Sequence, residues 1–280
     1  MKAIVNKIIP FSCVDGPGNR TAVFLQGCNI DCKYCHNPET RKLCVHCGAC
    51  VEKCPAGALS INKEGKVVYD SKVCVQCDTC IHICKNDSSP RTKEMTAEEV
   101  YAEVKKQIPF IRGITVSGGE CMLQAQFMEK VFYLAKEDGL STLIDSNGTI
   151  PFWEYPALMD VTDGVMLDIK AFDEKDHFHI TGYTNKVVLE NAKYLSEIGK
   201  LHEVRVVVVQ DLYDAEQSVK QIGEYLSSYA DTNQIRIKLI AYRPMGVREQ
   251  YAYYGSPSES FMKQLANIFK TYGFENIIII

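Results

Sequence analysis

LQGCNIDCKYCHN, residues 25–37, is the stretch that decides the fold, because it places three cysteines directly behind the apolar run of residues 22–25. These cysteines are Cys28, Cys32 and Cys35, and thiolate is the ligand that iron-sulfur clusters prefer. A cubane contains four irons, so three closely spaced cysteines bind three of them and leave the fourth without a protein ligand. A catalytic metal site keeps such a position open for substrate. The spacing therefore predicts a catalytic 4Fe-4S cluster, and a zinc knuckle that lacks one ligand is the alternative.

Two further cysteine runs share one spacing, with gaps of two, two and three residues. They are Cys44, Cys47, Cys50 and Cys54, and then Cys74, Cys77, Cys80 and Cys84. This is the run of bacterial ferredoxins, in which the fourth cysteine of each run binds the cluster of the other run. The predicted ligand sets are Cys44, Cys47, Cys50 and Cys84 for one 4Fe-4S cluster, and Cys54, Cys74, Cys77 and Cys80 for the second. Pro55 follows the first run, as in ferredoxins, whereas Lys85 follows the second run. The alternative interpretation is two zinc sites with four thiolate ligands each.

The residues around the first three cysteines carry a resemblance to a known family. Tyr34 precedes the third cysteine, and Asp15-Gly16-Pro17-Gly18 is followed by Arg20 within IIPFSCVDGPGNR, residues 8–20. Together with the cysteine spacing, these features resemble the radical SAM superfamily, specifically the activating enzymes of glycyl radical enzymes, over essentially the whole chain. The opening segment and the paired ferredoxin runs are most similar to the YjjW-type activases.

The resemblance implies an activity, cofactors and partners. It implies three 4Fe-4S clusters and S-adenosyl-L-methionine, which the reduced cluster of the first three cysteines cleaves to methionine and a 5′-deoxyadenosyl radical. The radical then removes a hydrogen from one backbone glycine of a partner glycyl radical enzyme, so the substrate is a protein. Flavodoxin or ferredoxin supplies the electrons through the two extra clusters. Because oxygen destroys such radicals, an anaerobe or facultative anaerobe is expected as the source.

The rest of the chain alternates between short apolar strands and amphipathic helices. Strands are predicted at residues 4–9, 21–25, 113–117, 141–145, 164–169, 204–209, 235–241 and 277–280, and helices at 96–108, 125–137, 187–197, 215–228 and 259–272. This alternation is typical of an α/β protein with parallel strands and crossover helices. Six strands from residue 21 to residue 241 are too few for a closed eight-stranded barrel, which matches the partial (β/α)6 radical SAM barrel that the resemblance implies. The barrel is predicted at residues 1–37 and 92–280, and an inserted bacterial ferredoxin-like two-cluster domain, with a hairpin at 58–69, at residues 38–91.

Polar residues gather where the predicted strands end, which is where α/β barrels bind ligands. The resemblance implies that they hold S-adenosylmethionine, together with Tyr34, Cys35 and His36 of the cluster loop. The residues at these strand ends are Gly118, Gly119, Glu120, Asp145, Asn147, Asp168, Ile169, Lys170 and Arg243, and Arg205 at the start of the fifth strand of the barrel completes the set. Its carboxylates would balance the cationic sulfonium or a bound monovalent cation, and its lysine would hold the cofactor carboxylate. For each charged residue taken alone, a solvated strand end is the alternative.

Composition narrows the class of protein. The chain has 280 residues, of which 46% are hydrophobic, and a net charge of −4. These values predict a soluble globular protein that binds neither nucleic acid nor membrane. The first residues lack a signal-peptide pattern, so the thirteen cysteines are expected in the reducing cytoplasm, as metal ligands and not as disulfides. Only Cys13 and Cys121 have no assigned role, and a buried apolar filler is the simpler interpretation of Cys121. Two other functions stay open: a radical SAM enzyme that acts on a small molecule or a peptide, and an iron-sulfur electron carrier.

Overall fold

The computed structural model describes all 280 residues, and its strands form one nine-stranded sheet and one two-stranded hairpin. The strands are β1 (Lys2–Ser12), β2 (Arg20–Leu25), β3 (Leu59–Ile61), β4 (Val67–Tyr69), β5 (Lys93–Thr96), β6 (Gly113–Gly118), β7 (Ser141–Ser146), β8 (Gly164–Asp168), β9 (Leu201–Val208), β10 (Arg236–Ala241) and β11 (Ile277–Ile279). The helices are α1 (Thr79–His82), α2 (Ala97–Lys105), α3 (Ala125–Glu137), α4 (Pro156–Asp160), α5 (Glu174–Thr181), α6 (Lys186–Glu197), α7 (Ala215–Ser227) and α8 (Glu259–Thr271). None of these helices combines the length and the apolar character that crossing a membrane requires.

The large sheet has the order β11-β10-β9-β8-β7-β6-β2-β1-β5. From β2 to β11 every neighbouring pair is parallel, whereas β1 runs antiparallel to both β2 and β5 at one edge. Each parallel strand lies beside the next parallel strand of the chain, and the terminal strands β11 and β5 do not pair with each other. The result is an open, mixed sheet, as expected for a partial barrel, with the carboxyl ends of all parallel strands at one edge.

The main core lies between this sheet and the helices. Strand residues such as Val23 and Ile144 are fully buried, which explains why the parallel strands have continuous runs of branched residues rather than an alternating pattern. Helix residues such as Val131 of α3 and Leu265 of α8 belong to the same buried cluster. The apolar faces of the predicted helices therefore cover the sheet, and its carboxyl edge is left for polar residues.

The structure confirms the predicted strands and helices of the barrel, with shifts at some ends. The first helix begins behind Thr96, which exchanges two hydrogen bonds with Glu99, but it ends at Lys105 and not at residue 108. The strand predicted at residues 204–209 begins earlier, at Leu201, so Arg205 lies inside it and not at its start. β5, α4 and α5 are absent from the prediction because β5 is largely polar, α4 has five residues, and α5 has charged residues and histidines in place of an apolar stripe.

Residues 38–91 lie outside the α/β fold, in the part of the chain between β2 and β5. Within this segment β3 and β4 pair antiparallel, as the predicted hairpin requires. A small separate core forms around Leu59 and Val67, together with Cys50 and Cys80. The two ends of the segment lie side by side, since the Lys42 N–H donates to the carbonyl of Asp87 (3.1 Å). The segment therefore lies between two strands of the large sheet, β2 and β5.

Candidate functional site

The first three cysteines lie in a loop that follows β2 at the carboxyl edge of the parallel strands. On one side of this loop, the Cys28 N–H donates to the Arg41 carbonyl (2.8 Å). On the other side, the Lys33 N–H donates to the Ile180 carbonyl near the end of α5 (3.0 Å). All thirteen cysteines are free thiols, so these backbone bonds, and no disulfide, hold the loop in place.

The thiols open onto a cavity of about 210 Å³ between the cluster loop and the strand ends. Its lining contains most of the predicted positions, namely Cys28, Cys32, Tyr34, Cys35, His36, Gly118, Gly119, Asp145, Asn147, Asp168, Lys170 and Arg205. Ser117 and Ser146 also line it, and so does Val207, although no pattern in the sequence distinguishes them from other strand residues. The lining of the cavity thus combines soft thiols with charged groups and small polar ones.

Three predicted positions do not line this cavity. Ile169 is fully buried in the main core. The Glu120 carboxylate is also buried, where it accepts a hydrogen bond from the Asn147 N–H (2.7 Å), and burial raises its pKa to about 7. Arg243 has an exposed side chain, and only its carbonyl reaches the cluster loop, where it accepts a bond from Nε2 of His36 (2.8 Å). The structure does not bring these three side chains to the cavity, and their contact with a cofactor stays a prediction.

Gly118 and Gly119 have a packing role that the sequence alone does not reveal. Gly118 has φ of 127°, and a Cβ there would lie 2.1 Å from the Leu25 carbonyl oxygen. At Gly119 a Cβ would lie 2.3 Å from the Gly27 carbonyl oxygen. This close approach lets the N–H groups of Gly119 and Glu120 donate to Leu25 (3.0 Å) and Gly27 (2.8 Å). The two glycines therefore press the end of β6 against the start of the cluster loop, in addition to lining the cavity.

Two cations and two carboxylates meet at the strand ends. Arg205 Nη1 lies 2.8 Å from an Asp145 oxygen, and Lys170 Nζ lies 2.9 Å from an Asp168 oxygen. Burial opposes the charge on Arg205, but Asp145 and Glu203 outweigh it and raise the pKa of the guanidinium. Burial likewise opposes the charge on Lys170, but Asp168, Cys32 and Tyr34 together outweigh it, so the pKa of the ammonium is raised. Both cations stay charged at neutral pH, and the four groups together suit a ligand that carries a carboxylate and a cationic centre.

A two-arginine network, formed by Arg41 and Arg248 with Asp31 and Asp87, connects the cluster loop to two other parts of the chain. Each arginine contacts both aspartates. Arg248 also donates to the carbonyl of Cys32 (2.9 Å). Since Asp87 ends the inserted segment and Arg248 follows β10, the network joins three distant parts of the chain at the cluster loop. Sequence reasoning missed it because nothing in the spacing of these charges marks them as neighbours.

The two four-cysteine runs have matching local geometry. Two residues after the first cysteine of each run, His46 and Gln76 both have φ of 55°. The His46 N–H lies 3.4 Å from Cys44 Sγ, and the Gln76 N–H lies 3.4 Å from Cys74 Sγ. In both runs the second cysteine is exposed and the third is buried. Both runs therefore begin with the same turn, in which a backbone N–H points toward the sulfur of the first cysteine.

A small cavity unites the cysteines predicted for one of the two extra clusters. Its lining includes Cys54, Cys74, Cys77 and Cys80, together with Tyr69 and Arg91. Nowhere in the structure do three or more His, Cys, Asp or Glu side chains converge as they would around a single metal ion. In a cubane each thiolate binds a different iron, so its ligands surround a volume and do not converge on a point. The four cysteines that the sequence predicts for one cluster therefore lie around one cavity.

The two remaining cysteines have different surroundings. Cys121 is fully buried, and its Sγ donates to the Asp145 carbonyl (3.3 Å). Cys13 is exposed in the loop before β2. Neither lines the cavity of the cluster loop.

Comparison with known proteins finds a family match that includes most residues of this site. The family model described as the radical SAM superfamily matches residues 22–221, from β2 to α7. The chain is 35% identical over 252 residues to the pyruvate formate-lyase-activating enzyme of Streptococcus mutans, a match that covers 87% of this chain and 78% of that protein. It is 31% identical over 304 residues to the trans-4-hydroxy-L-proline dehydratase activating enzyme of Clostridioides difficile, with 99% of both chains covered. A crystal structure of a domain of the pyruvate-formate lyase-activating enzyme from Bacteroides vulgatus superposes with a TM-score of 0.51 at 21% identity over 60% of this chain and 98% of that one, which bears on the fold alone.

Proposed function

Because the chain belongs to the radical SAM superfamily and, within it, to the activating enzymes of glycyl radical enzymes, we propose that it installs the radical on a partner enzyme through the cavity at its cluster loop. The superfamily uses a 4Fe-4S cluster and S-adenosylmethionine, and the bound cluster supplies the electron that cleaves S-adenosylmethionine to methionine and a 5′-deoxyadenosyl radical. The observation that carries the proposal is the cavity itself, whose lining combines three thiols without a fourth partner with the charged strand ends. The substrate is one backbone glycine of the partner protein.

The three thiols of the cavity fit a metal cluster. Burial raises the pKa of Cys28 to about 11 and that of Cys32 to about 12. Without a metal these thiols stay protonated at neutral pH, and coordination to iron is what favours their thiolate form. Cys28, Cys32 and Cys35 would bind three irons and leave the fourth for the cofactor.

The charged groups of the same lining fit the amino acid part of S-adenosylmethionine. Lys170 and Arg205 would hold its carboxylate, and Asp145 and Asp168 would face its cationic groups or a bound monovalent cation. The Tyr34 hydroxyl is buried at the same cavity and has no hydrogen-bond partner in the protein. Since an unpaired buried hydroxyl is unfavourable, a polar ligand in the cavity would satisfy it.

We further propose that residues 38–91 form a bacterial ferredoxin-like domain with two more 4Fe-4S clusters, which gives three in all. The matching turns at His46 and Gln76 and the four-thiol cavity support this arrangement. Cys47 and Cys77 are exposed, so an electron donor such as flavodoxin or ferredoxin can approach both clusters. Thirteen unpaired thiols suit a reducing compartment, and we place the enzyme in the cytoplasm.

A deuterium-transfer experiment tests the substrate. The reconstituted enzyme is mixed under anaerobic conditions with S-adenosylmethionine, a reductant and a short peptide that copies the glycine loop of a candidate partner, deuterated at the glycine α-carbon. We expect deuterium in the 5′-deoxyadenosine and a backbone radical by EPR. The matched peptide with alanine in place of glycine should give no stable radical. If no glycine-loop peptide transfers deuterium while a small metabolite does, the activase function is wrong and a small-molecule radical SAM reaction replaces it.

A further inference from the structure

The side chain of Asn147 lies buried between the end of β7 and the cluster loop. Its amide nitrogen donates to the Cys28 sulfur (Nδ2–Sγ 3.7 Å) and to the side-chain oxygen of Asn29 (3.3 Å). Its amide oxygen accepts two bonds from Thr149, one from the backbone N–H (3.0 Å) and one from the hydroxyl (2.6 Å). An amide has two donor hydrogens and two acceptor positions, so all four hydrogen-bond positions of this side chain are used.

These contacts fix which end of the Asn147 amide faces the cluster loop. A backbone N–H can only donate, so the group that faces the Thr149 N–H has to be the amide oxygen. The amide nitrogen then faces Cys28, and one of its hydrogens is available to the sulfur. The predicted cluster ligand Cys28 therefore has a neutral side-chain donor beside it.

Three side chains close a ring of hydrogen bonds around this donor. Asn147 donates to Asn29 (3.3 Å), Asn29 donates to the Thr149 hydroxyl (2.8 Å), and that hydroxyl donates back to Asn147 (2.6 Å). Bonds in such a network polarise one another, so the loss of one weakens the others. Because Asn29 directly follows Cys28 in the chain, the ring also ties the donor to the loop that carries the sulfur.

The backbone of Asn147 is fixed as firmly as its side chain. The buried carboxylate of Glu120 accepts bonds from the Asn147 N–H (2.7 Å) and the Ser146 hydroxyl (2.8 Å). It also accepts a bond from the Met122 N–H (2.9 Å). The end of β7 and the short helix behind Gly119 are thereby held together, and the amide of Asn147 is oriented before any cluster binds.

We propose that Asn147 donates a hydrogen bond to the Cys28 thiolate of the catalytic cluster and raises the reduction potential of that cluster, with Asn29 and Thr149 as positioning residues. The inference rests on the catalytic cluster of the proposed function. A hydrogen bond to a cluster sulfur favours the reduced form, because that form carries one more negative charge. Since no donor or acceptor of the amide is left for S-adenosylmethionine, the proposal assigns Asn147 to the cluster and not to the cofactor contact that the resemblance implies.

The reduction potential of the catalytic cluster, followed by EPR in the full-length reconstituted enzyme, tests the proposal. The signal of this cluster is the one that S-adenosylmethionine alters, because only this cluster has an open iron, and its potential is then measured without S-adenosylmethionine. In Asn147→Ala we expect the ratio of reduced to oxidised cluster at the wild-type midpoint to fall about tenfold, which is about 59 mV for one electron. The signals of the other clusters should not move.

Thr149 offers a matched pair of variants. Thr149→Val keeps the shape of the side chain but removes the hydroxyl that closes the ring, so the potential should move in the same direction by a smaller amount. Thr149→Ser keeps the hydroxyl, and the potential should stay at the wild-type value. Where Asn147→Ala does not retain the cluster, this pair decides the question by the same measurement.

The dissociation constant of S-adenosylmethionine separates the proposal from a direct cofactor contact. Asn147→Ala should bind S-adenosylmethionine as tightly as the wild-type enzyme does. Weakened binding with an unchanged potential would assign the amide to the cofactor and overturn the inference. Equal shifts of the potential in Thr149→Ser and Thr149→Val would also overturn it. A wild-type enzyme in which S-adenosylmethionine alters no signal would show instead that the proposed function is wrong.

Discussion

At the residue scale, the cluster loop depends on contacts made by side chains far away in the chain. Arg248 is 11% exposed, and it bonds to Asp31 and to the carbonyl of Cys32, which is itself a predicted iron ligand. Its loss would leave that carbonyl and a carboxylate without their shared partner. The loop would then open more often toward solvent, and the cluster would be released more readily.

We therefore expect Arg248→Ala to accelerate iron removal by a chelator at least about fivefold, the factor that corresponds to about 1 kcal/mol of lost stabilisation. The measurement follows loss of the cluster absorbance in the reconstituted protein under anaerobic conditions. Arg243→Ala is the control, because Arg243 lies on the same loop with an exposed side chain. Equal rates in the two variants would show that the two-arginine network does not hold the loop.

The buried imidazole of His177 makes the stability of the fold depend on pH. It is fully buried, neither ring nitrogen has a partner, and burial lowers its pKa from 6.5 to about 4. The unfolded chain takes up this proton near pH 6.5, but the folded chain does so only near pH 4. The stability that the neutral ring contributes is therefore complete above pH 6.5 and is lost as the pH falls from 6.5 to 4.

At pH 5.5 the loss amounts to about 1 kcal/mol relative to pH 7.5. We expect His177→Phe to remove this part of the pH dependence, as measured by the free energy of unfolding at the two pH values. His82→Phe, a change at an exposed histidine, should keep the full difference. A slope that persists in His177→Phe would mean that another group titrates in this window.

Some residues of the candidate site can be predicted from the sequence, and others cannot. The cysteines and the carboxylates at the ends of β7 and β8 are predictable, because residue type, spacing and position at a strand end carry the information. Arg41 and Arg248 are not, because more than two hundred residues separate them and only the folded chain makes them neighbours. Arg243 illustrates a different limit of sequence-based prediction. It follows a strand end, but its charged side chain is exposed and only its backbone carbonyl contacts the cluster loop.

At the scale of elements, the loop that follows β10 contacts the cluster loop, and the backbone of Gly246 lies close to that of His36. Gly246 has φ of 86°, and a Cβ there would lie 2.9 Å from the His36 carbonyl oxygen. Both the backbone conformation and the contact disfavour any other residue. The carbonyl cannot move freely, since His36 also stacks on Tyr242.

Gly246→Ala should therefore destabilise the reconstituted enzyme by about 1–2 kcal/mol, which lowers Tm by roughly 2–8 °C for a protein of this size class. Gly255→Ala offers a matched control within the same connection, because its added Cβ would meet nothing closer than 3.7 Å. Anaerobic thermal unfolding of both variants makes the comparison. If Gly255→Ala is as damaging as Gly246→Ala, the close approach to His36 is not the cause.

Helices and strands with a clear periodic pattern of apolar residues could be predicted from the sequence. Elements whose position depends on tertiary contacts could not. α5 lacks an apolar stripe, yet its last residues accept the backbone bonds of Lys33 and Asp31, so its position is set by the cluster loop. The two glycines behind β6 were predicted as a ligand contact, but the pairing with Leu25 and Gly27 that requires them appears only in three dimensions.

At the scale of the whole molecule, the order of the parallel strands follows from the alternation of strands and helices along the chain. The antiparallel edge of β1 and β5 does not, since β5 is short, polar and separated from β1 by the entire insert. This edge matters because it returns the chain from the inserted segment directly to the sheet that carries the cluster loop. The molecule thereby joins one unit that would receive electrons to another that would use them.

This division predicts different losses when one cysteine is removed from each unit. Cys32→Ala removes a predicted ligand of the catalytic cluster, so cleavage of S-adenosylmethionine should be abolished while about two thirds of the iron remains, because only one of the three proposed cubanes would lose a ligand. Cys47→Ala removes a predicted ligand of one of the two proposed inserted clusters, so cleavage driven by dithionite should persist while turnover with reduced flavodoxin falls. Iron analysis and 5′-deoxyadenosine formation under both reductants measure the two effects. If both variants lose dithionite-driven cleavage equally, the inserted segment maintains the structure of the catalytic loop, through the backbone bonds at Arg41 and Asp87, and does not serve as its electron supply.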